Sequence, residues 1–161
     1  MSVLDGIWAN YKTGSILDIT GCGFKLFVQS LYTFPLGFEI NEFADDTDPF
    51  DLPDVTIGHY QNDLNNELVF WNKPSPFVVD LNLVCGTSGE QNCRTLFNSN
   101  YKAAGKSSGS DLITMIATYA NGDKKVAIGG HINVGSPLQS ISTNGRIKTQ
   151  HYQFVFARLL N

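Results

Sequence analysis

FVVDLNLVCGTSGEQNCRTLFNSNY, residues 77–101, holds the clearest local code in the chain. Phe77, Val79, Leu81 and Leu83 alternate with Val78, Asp80, Asn82 and Val84, the period of a strand with one face in a core. Gly86-Thr87-Ser88-Gly89 breaks that strand. From Ser88 to Tyr101 the apolar residues Cys93, Leu96, Phe97 and Tyr101 recur at helical spacing, so a single amphipathic helix follows. Thr87 or Ser88 supplies the N-cap, and Glu90 sits in the first turn, where the helix dipole favours an acid. Lys102 falls at the end, and Gly105 is the expected stop.

Strands dominate on both sides of this unit. Phe24 to Tyr32 has strand composition, with a short helix as the alternative, and Glu67 to Trp71 reads as a strand behind the polar turn 62–66. Pro74 and Pro76 forbid a central strand between them. After a Gly/Ser loop at 106–110, the last third reads as a meander. Leu112 to Ala120 alternates, and Asn121-Gly122-Asp123 is a hairpin turn that needs positive φ. Lys124 to Val134 returns, with Gly129-Gly130 marking a bulge or a close backbone approach. Arg146 to Arg158 is the final expected strand, Ile147, Thr149, His151, Gln153 and Val155 opposing Lys148, Gln150, Tyr152, Phe154 and Phe156. Residues 1–23 are weakly patterned around Trp8, Tyr11, Ile16 and Leu17, and no internal repeat is present.

The segment Gly37–Trp71 is chemically unusual. It holds nine acidic residues and no Lys or Arg, yet Phe38, Ile40, Phe43, Phe50, Leu52, Val55, Ile57 and Tyr60 run through it. High charge with low hydrophobicity gives disorder; here the hydrophobicity is present, so the segment must order against something. Phe38–Asn41 and Val55–Gly58 alternate as strands, and Ala44–Pro49 has turn composition, so the expectation is two strands around a long acidic loop. That loop is either a solvated connection or an arm that docks on a basic partner.

At 161 residues the chain suits one domain, expected to span 1–161 with the acidic arm at about 37–54. It is 42% hydrophobic and 16% charged with fifteen glycines, which favours a turn-rich β protein. A net charge of −4 argues against generic nucleic-acid binding. The distribution is lopsided: Lys102, Lys106, Lys124, Lys125, Arg146, Lys148 and Arg158 face only Asp111 and Asp123 in the last third. Cys22, Cys85 and Cys93 make no CxxC pair and no complete disulfide framework, so reduced thiols are expected, Cys85 and Cys93 as small buried hydrophobes. No signal-peptide pattern opens the chain and no run approaches a membrane span, so a soluble protein outside the ordinary secretory route is expected.

Known catalytic and metal signatures fail on spacing. Gly105-Lys106-Ser107 ends like a P-loop, but the required earlier glycine is Asn100 and the loop follows a helix rather than a strand. Asp46-x-Asp48 opens like a calcium loop, but its sixth position is Asp51 and its twelfth is Ile57. An irregular cation site from Asp45, Asp46, Asp48 and Asp51 is the remaining alternative. His59, His131 and His151 lie on separate strands without ligand spacing, and no nucleophile elbow or Cys–His signature is present. No metal, no cofactor and no enzyme activity are expected.

Gly37-Phe38-Glu39-Ile40 with Glu42-Phe43-Ala44-Asp45-Asp46, then Asp48-Pro49-Phe50-Asp51, resembles a family of small structural proteins of contractile bacteriophage tails. Leu64-Asn65 with Leu68-Val69, Pro74-Ser75-Pro76, the Leu81–Gly86 junction, and Gly145–Lys148 through Tyr152-Gln153-Phe154 extend the resemblance over roughly residues 37–157. It implies a mainly β fold, an antiparallel β-sandwich or barrel with one flanking helix, of the tail-tube kind. It implies a virion protein assembled in the host cytoplasm, forming sixfold rings as tube, tube initiator or tube-to-baseplate adaptor. Its partners would be itself, neighbouring tube or baseplate proteins and the sheath, with no membrane and no specific nucleic-acid binding, although the channel would let a genome pass. A ring needs a heterologous interface. The expected one joins Phe38, Phe43, Asp45, Asp46, Asp48, Phe50, Asp51 and Leu52 on one protomer to Lys124, Lys125, Arg146 and Lys148 on the next. The competing expectation is that the arm folds onto its own domain. The alternative function is a monomeric β-sandwich carbohydrate- or surface-binding module using Trp8, Trp71, Tyr60 and Tyr119 as stacking platforms, against their ordinary role in a core.

Overall fold

The computed structural model describes residues 21–101 and 111–160. The expected features at Trp8, Lys102 and Gly105 and the 106–110 loop lie outside them. The strands are β1 (Lys25–Ser30), β2 (Phe38–Ile40), β3 (Phe50–Asp51), β4 (Gly58–Asn62), β5 (Leu68–Asn72), β6 (Phe77–Leu83), β7 (Ile113–Thr118), β8 (Lys124–Val134), β9 (Gln150–Phe156) and β10 (Arg158–Leu160). Among the described residues one helix, α1 (Ser88–Asn100), joins β6 to the second half. Eight strands among the described residues form one antiparallel sheet in the order β2-β1-β7-β8-β9-β6-β3, with β10 also on β8, while β4 and β5 pair only with each other.

The sheet folds over because β8 serves both halves. Its first residues pair with β7, and its last residues, His131 to Val134, pair with β9. The register slips between Ile113 and Met115, where Gly129 has φ +68°. Gly130 has no room for a side chain, since a Cβ there would lie 2.3 Å from the Phe156 ring. The glycine pair is thus both the bulge and the close approach.

The inner faces meet as the alternation requires. Val79, Leu81 and Leu83 of β6 are buried, as are Tyr152, Phe154 and Phe156 of β9, Ile113, Met115 and Ala117 of β7, and Leu26 and Val28 of β1. Among the described residues the result is a mainly β sandwich with one flanking helix. Each large side chain fully buried there contributes about 1.5–3 kcal/mol. α1 closes one side with Cys93 and Leu96. Its N-cap is Thr87, whose hydroxyl accepts from the Glu90 N–H at 3.4 Å. The helix ends at Asn100, so Tyr101, expected in its apolar stripe, is exposed just beyond it.

Three expectations change. β2 pairs with β1, not with a strand at 55–58, and pairing on the far side of the acidic loop begins only at Gly58, against β5. The final strand begins at Gln150 rather than Arg146. Residues 141–147 make their own turn, with the Ser142 N–H donating to the Arg146 carbonyl at 2.8 Å and Ile141 bridging Ile147. Cys85 is half-buried rather than buried, and the Arg94 guanidinium donates to its sulfur at 3.7 Å.

Candidate interaction surface

Two segments of the acidic stretch meet different fates. The first, residues 41–51, lies down on its own domain. Phe43 bridges Leu83, the Ala44 N–H donates to the Asn82 carbonyl at 3.0 Å, and the Asn82 N–H and side-chain amide donate to the carbonyls of Pro49 and Asp48 at 3.0 and 2.8 Å. β3 then pairs Phe50 with Leu81 and Asp51 with Asp80. Phe43 and Phe50 pack on Phe24, with ring centroids 5.4 and 4.7 Å away.

Charge reinforces the seat. Arg146 donates to Asp45 at 3.2 Å and Thr149 to Asp46 at 2.8 Å, both at the surface. Exposed pairs of this kind are worth less than about 1 kcal/mol each, so they set the loop's place more than its stability. The acidic loop and the residues nearest it in the basic half therefore meet within one chain. Phe38 is buried, and Phe43 and Phe50 pack against the same core, so these rings fill their own domain. Asp45, Asp46, Asp48, Asp51 and Leu52 face solvent, as do Arg146 and Lys148. Lys124 and Lys125 sit at the β7–β8 turn, and among the described residues no ion pair links them to the acidic loop.

The second segment leaves the domain. β4 and β5 form a two-stranded ribbon whose pairs run from Gly58 opposite Asn72 to Asn62 opposite Leu68. Its turn is locally encoded. The Asp63 carboxylate accepts from the Asn65 and Glu67 N–H groups at 2.9 Å each, and Asn66 takes φ +62°, a conformation asparagine tolerates. Directly opposed residues share a face, so Tyr60, Leu68 and Phe70 lie on one side and His59, Val69 and Trp71 on the other. Both sides are apolar, and Tyr60, Phe70 and Trp71 remain 75%, 60% and 47% exposed. A lone hairpin is marginal in water, and soluble monomers rarely leave such a surface uncovered. The sequence pointed to a strand at 67–71 but gave core packing as the ordinary role of Tyr60 and Trp71; the structure puts both outside. Tyr119 is 37% exposed and packs at a tilt against Phe24, ring centroids 5.1 Å apart.

The buried carboxylates Glu90 and Asp111 are engaged, whereas Arg94 Nε and Gln150 Oε1 are buried without a hydrogen-bond partner. Glu90, fully buried, is ion-paired with Arg94, accepts from the Tyr152 hydroxyl at 2.9 Å, and accepts from the Gly86 N–H at 3.2 Å. Burial, then the Glu90 contact, pushes the Tyr152 phenol up, and burial with the Glu90 charge does the same to the Cys93 thiol. Asp111 accepts from the Tyr32 N–H, the Thr33 hydroxyl and the Asn100 amide. His151 Nε2 and the Gln153 amide both lie 3.0 Å from the Asp80 carboxylate, on the outer face of β6 and β9. Among the described residues no group of three or more His, Cys, Asp or Glu could hold a metal, and no helix is long and apolar enough to cross a membrane.

None of the curated proteins matches the chain. Among solved structures it is similar to a chain of the anti-feeding prophage (AFP) baseplate, a 6-fold symmetrised cryo-EM structure, with 7% identity and a TM-score of 0.49 over 91% of this chain and 95% of that one. The family model described as tail fiber protein gp32 matches residues 17–160, nearly the whole sequence. The chain therefore belongs to the tail fiber protein gp32 family and is a structural component of a phage tail.

Proposed function

We propose that the chain is a self-assembling ring subunit of the tail, at the tube or the tube–baseplate junction. The β4–β5 ribbon carries this reading. It is apolar on both faces, is held by its own turn, and makes no strand pairing with the sandwich among the described residues. Such an element is completed by a neighbour. The sandwich, with its own core, positions the ribbon; the exposed acidic loop (Asp45, Asp46, Asp48, Asp51 and Leu52) and Lys124, Lys125, Arg146 and Lys148 flank the contact with the next protomer. The ring number of six is what the resemblance implies. The role is structural rather than catalytic: among the described residues the two buried carboxylates, Glu90 and Asp111, are both engaged by partners that hold the fold.

Replacing Phe70 and Trp71 together by serine tests this. Because neither side chain belongs to the core, the melting temperature of the domain is expected to stay within a few degrees of wild type. Assembly, read by light scattering after size exclusion, is expected to fall to monomer, each aromatic anchor being worth roughly 2 kcal/mol or more. Unchanged oligomers would remove the ribbon from the interface. One observation favours a second reading: Tyr60, Phe70 and Trp71 are presented to solvent as stacking platforms would be. A wild-type monomer that binds glycans through Trp71 would support it.

A further inference from the structure

β9 and β10 are one line of chain along β8. Val155 opposes His131 and Arg158 opposes Ile128 in a single antiparallel register, interrupted only at Ala157. On its other side β9 is paired with β6, and that ladder stops at Phe77 opposite Phe156. Carried on, the register would set Arg158, Leu159 and Leu160 against Ser75, Pro74 and Lys73. It does not carry on. Pro74 and Pro76 have no N–H to give a ladder. The Lys73 N–H is also committed elsewhere, donating to the Ile57 carbonyl at 3.0 Å, and the Ser75 hydroxyl ties the segment to the Thr56 carbonyl at 3.3 Å. The chain is thus turned into the ribbon at the point where it would have covered β10. Among the described residues β10 pairs only with β8, and its Leu159 and Leu160 are exposed.

We propose that the lane beside β10 is the receiving site for the β4–β5 ribbon of a second copy. This deepens the ring reading and rests on it. The ribbon brings free strand edges and the apolar residues Tyr60, Leu68 and Phe70; β10 brings one free edge, Leu159 and Leu160. Charge agrees. Residues 54–72 hold Asp54, Asp63 and Glu67 with no Lys or Arg, whereas Arg158 lies on β10 and Lys124 and Lys125, preceded in the chain by Asp123, follow where Leu160 opposes Val126. Strand addition of this kind takes its affinity from main-chain bonds and its specificity from side chains. Because donor and receiver are different surfaces of one chain, the contact is head-to-tail, the kind a ring needs.

Two charge-reversed full-length chains test it. One carries Asp54→Lys and Glu67→Lys; the other carries Lys124→Glu, Lys125→Glu and Arg158→Glu. All five positions are on the surface, and thermal melts confirm the fold of each variant. At low salt each variant alone is expected to need roughly 100-fold more protein to assemble, because like charges then face each other. Mixed in equal amounts they are expected to assemble like wild type, since each reversed ribbon meets a complementary edge. Wild-type rings together with normal assembly of the β10 variant alone, or a mixture that stays monomeric, would overturn the receiving site while leaving the ring reading intact. A wild type that is monomeric throughout would overturn the ring reading and this site with it.

Discussion

Glu90→Ala is expected to cost about 3–5 kcal/mol, the usual effect of removing one partner of a buried ion pair. Glu90 lies fully buried under the start of α1, where it takes the Arg94 guanidinium, the Tyr152 hydroxyl and the Gly86 N–H together. Its removal leaves three donors without their acceptor, and one of them is a cation. Arg94 is only 18% exposed along its side chain, so water restores little. Its guanidinium is held more firmly protonated than usual: burial works against the charge, and the contacts with Cys85, Glu90 and Tyr152 outweigh it. Against a typical total of about 5–15 kcal/mol, the loss would leave a marginal domain. Urea denaturation measures it directly. The double variant Glu90→Ala with Arg94→Leu is expected to be more stable than Glu90→Ala alone, because the stranded cation is gone. A double variant with the full summed loss would mean the two residues act independently.

Asp111 is the second centre. Its carboxylate accepts from the Tyr32 N–H at 2.9 Å, from Thr33 and from the Asn100 amide at 2.9 Å, so it ties the β1–β2 turn to the end of α1. Burial pushes this carboxyl up, but the hydrogen bonds from Thr33, Asn100 and the Tyr32 backbone prevail and hold it below the ordinary carboxylate range. A group with a depressed folded value stabilises the fold fully above its unfolded value of about 3.9. That contribution disappears as pH falls below 3.9 and through the lower folded value. Asp111→Ala is expected to cost about 2–3 kcal/mol at pH 7, mostly for unsatisfied donors. Asp111→Asn is expected to flatten the loss of stability between about pH 4 and pH 2 relative to wild type. Equal acid sensitivity of wild type and Asp111→Asn would assign the transition to other carboxylates.

The sandwich was legible where one face of an element is buried and the other is not. β6, β7 and β9 show that contrast in every second residue, and the buried sets match the alternating ones. The Thr87 cap and the Asn121-Gly122-Asp123 turn were legible because the chemistry is local, Gly122 taking φ +93°. Short strands paired over long distances were not. β2 and β3 have three and two residues, too few for a period, and their partners were set by the core they cover. The ribbon defeated the reading differently: with apolar residues on both faces, β5 looks like a buried strand. The Glu90–Arg94 pair did leave a signal, an acid and a base four residues apart on one helix, but nothing local says that it is buried.

Imaging the purified full-length chain by electron microscopy, with its mass in solution from light scattering, tests the ring reading most directly. Closed rings with a central channel, of a mass equal to a whole number of protomers and six by the resemblance, are the expected result. A uniform monomer at every protein and salt concentration, in a chain whose melt shows it folded, would contradict it.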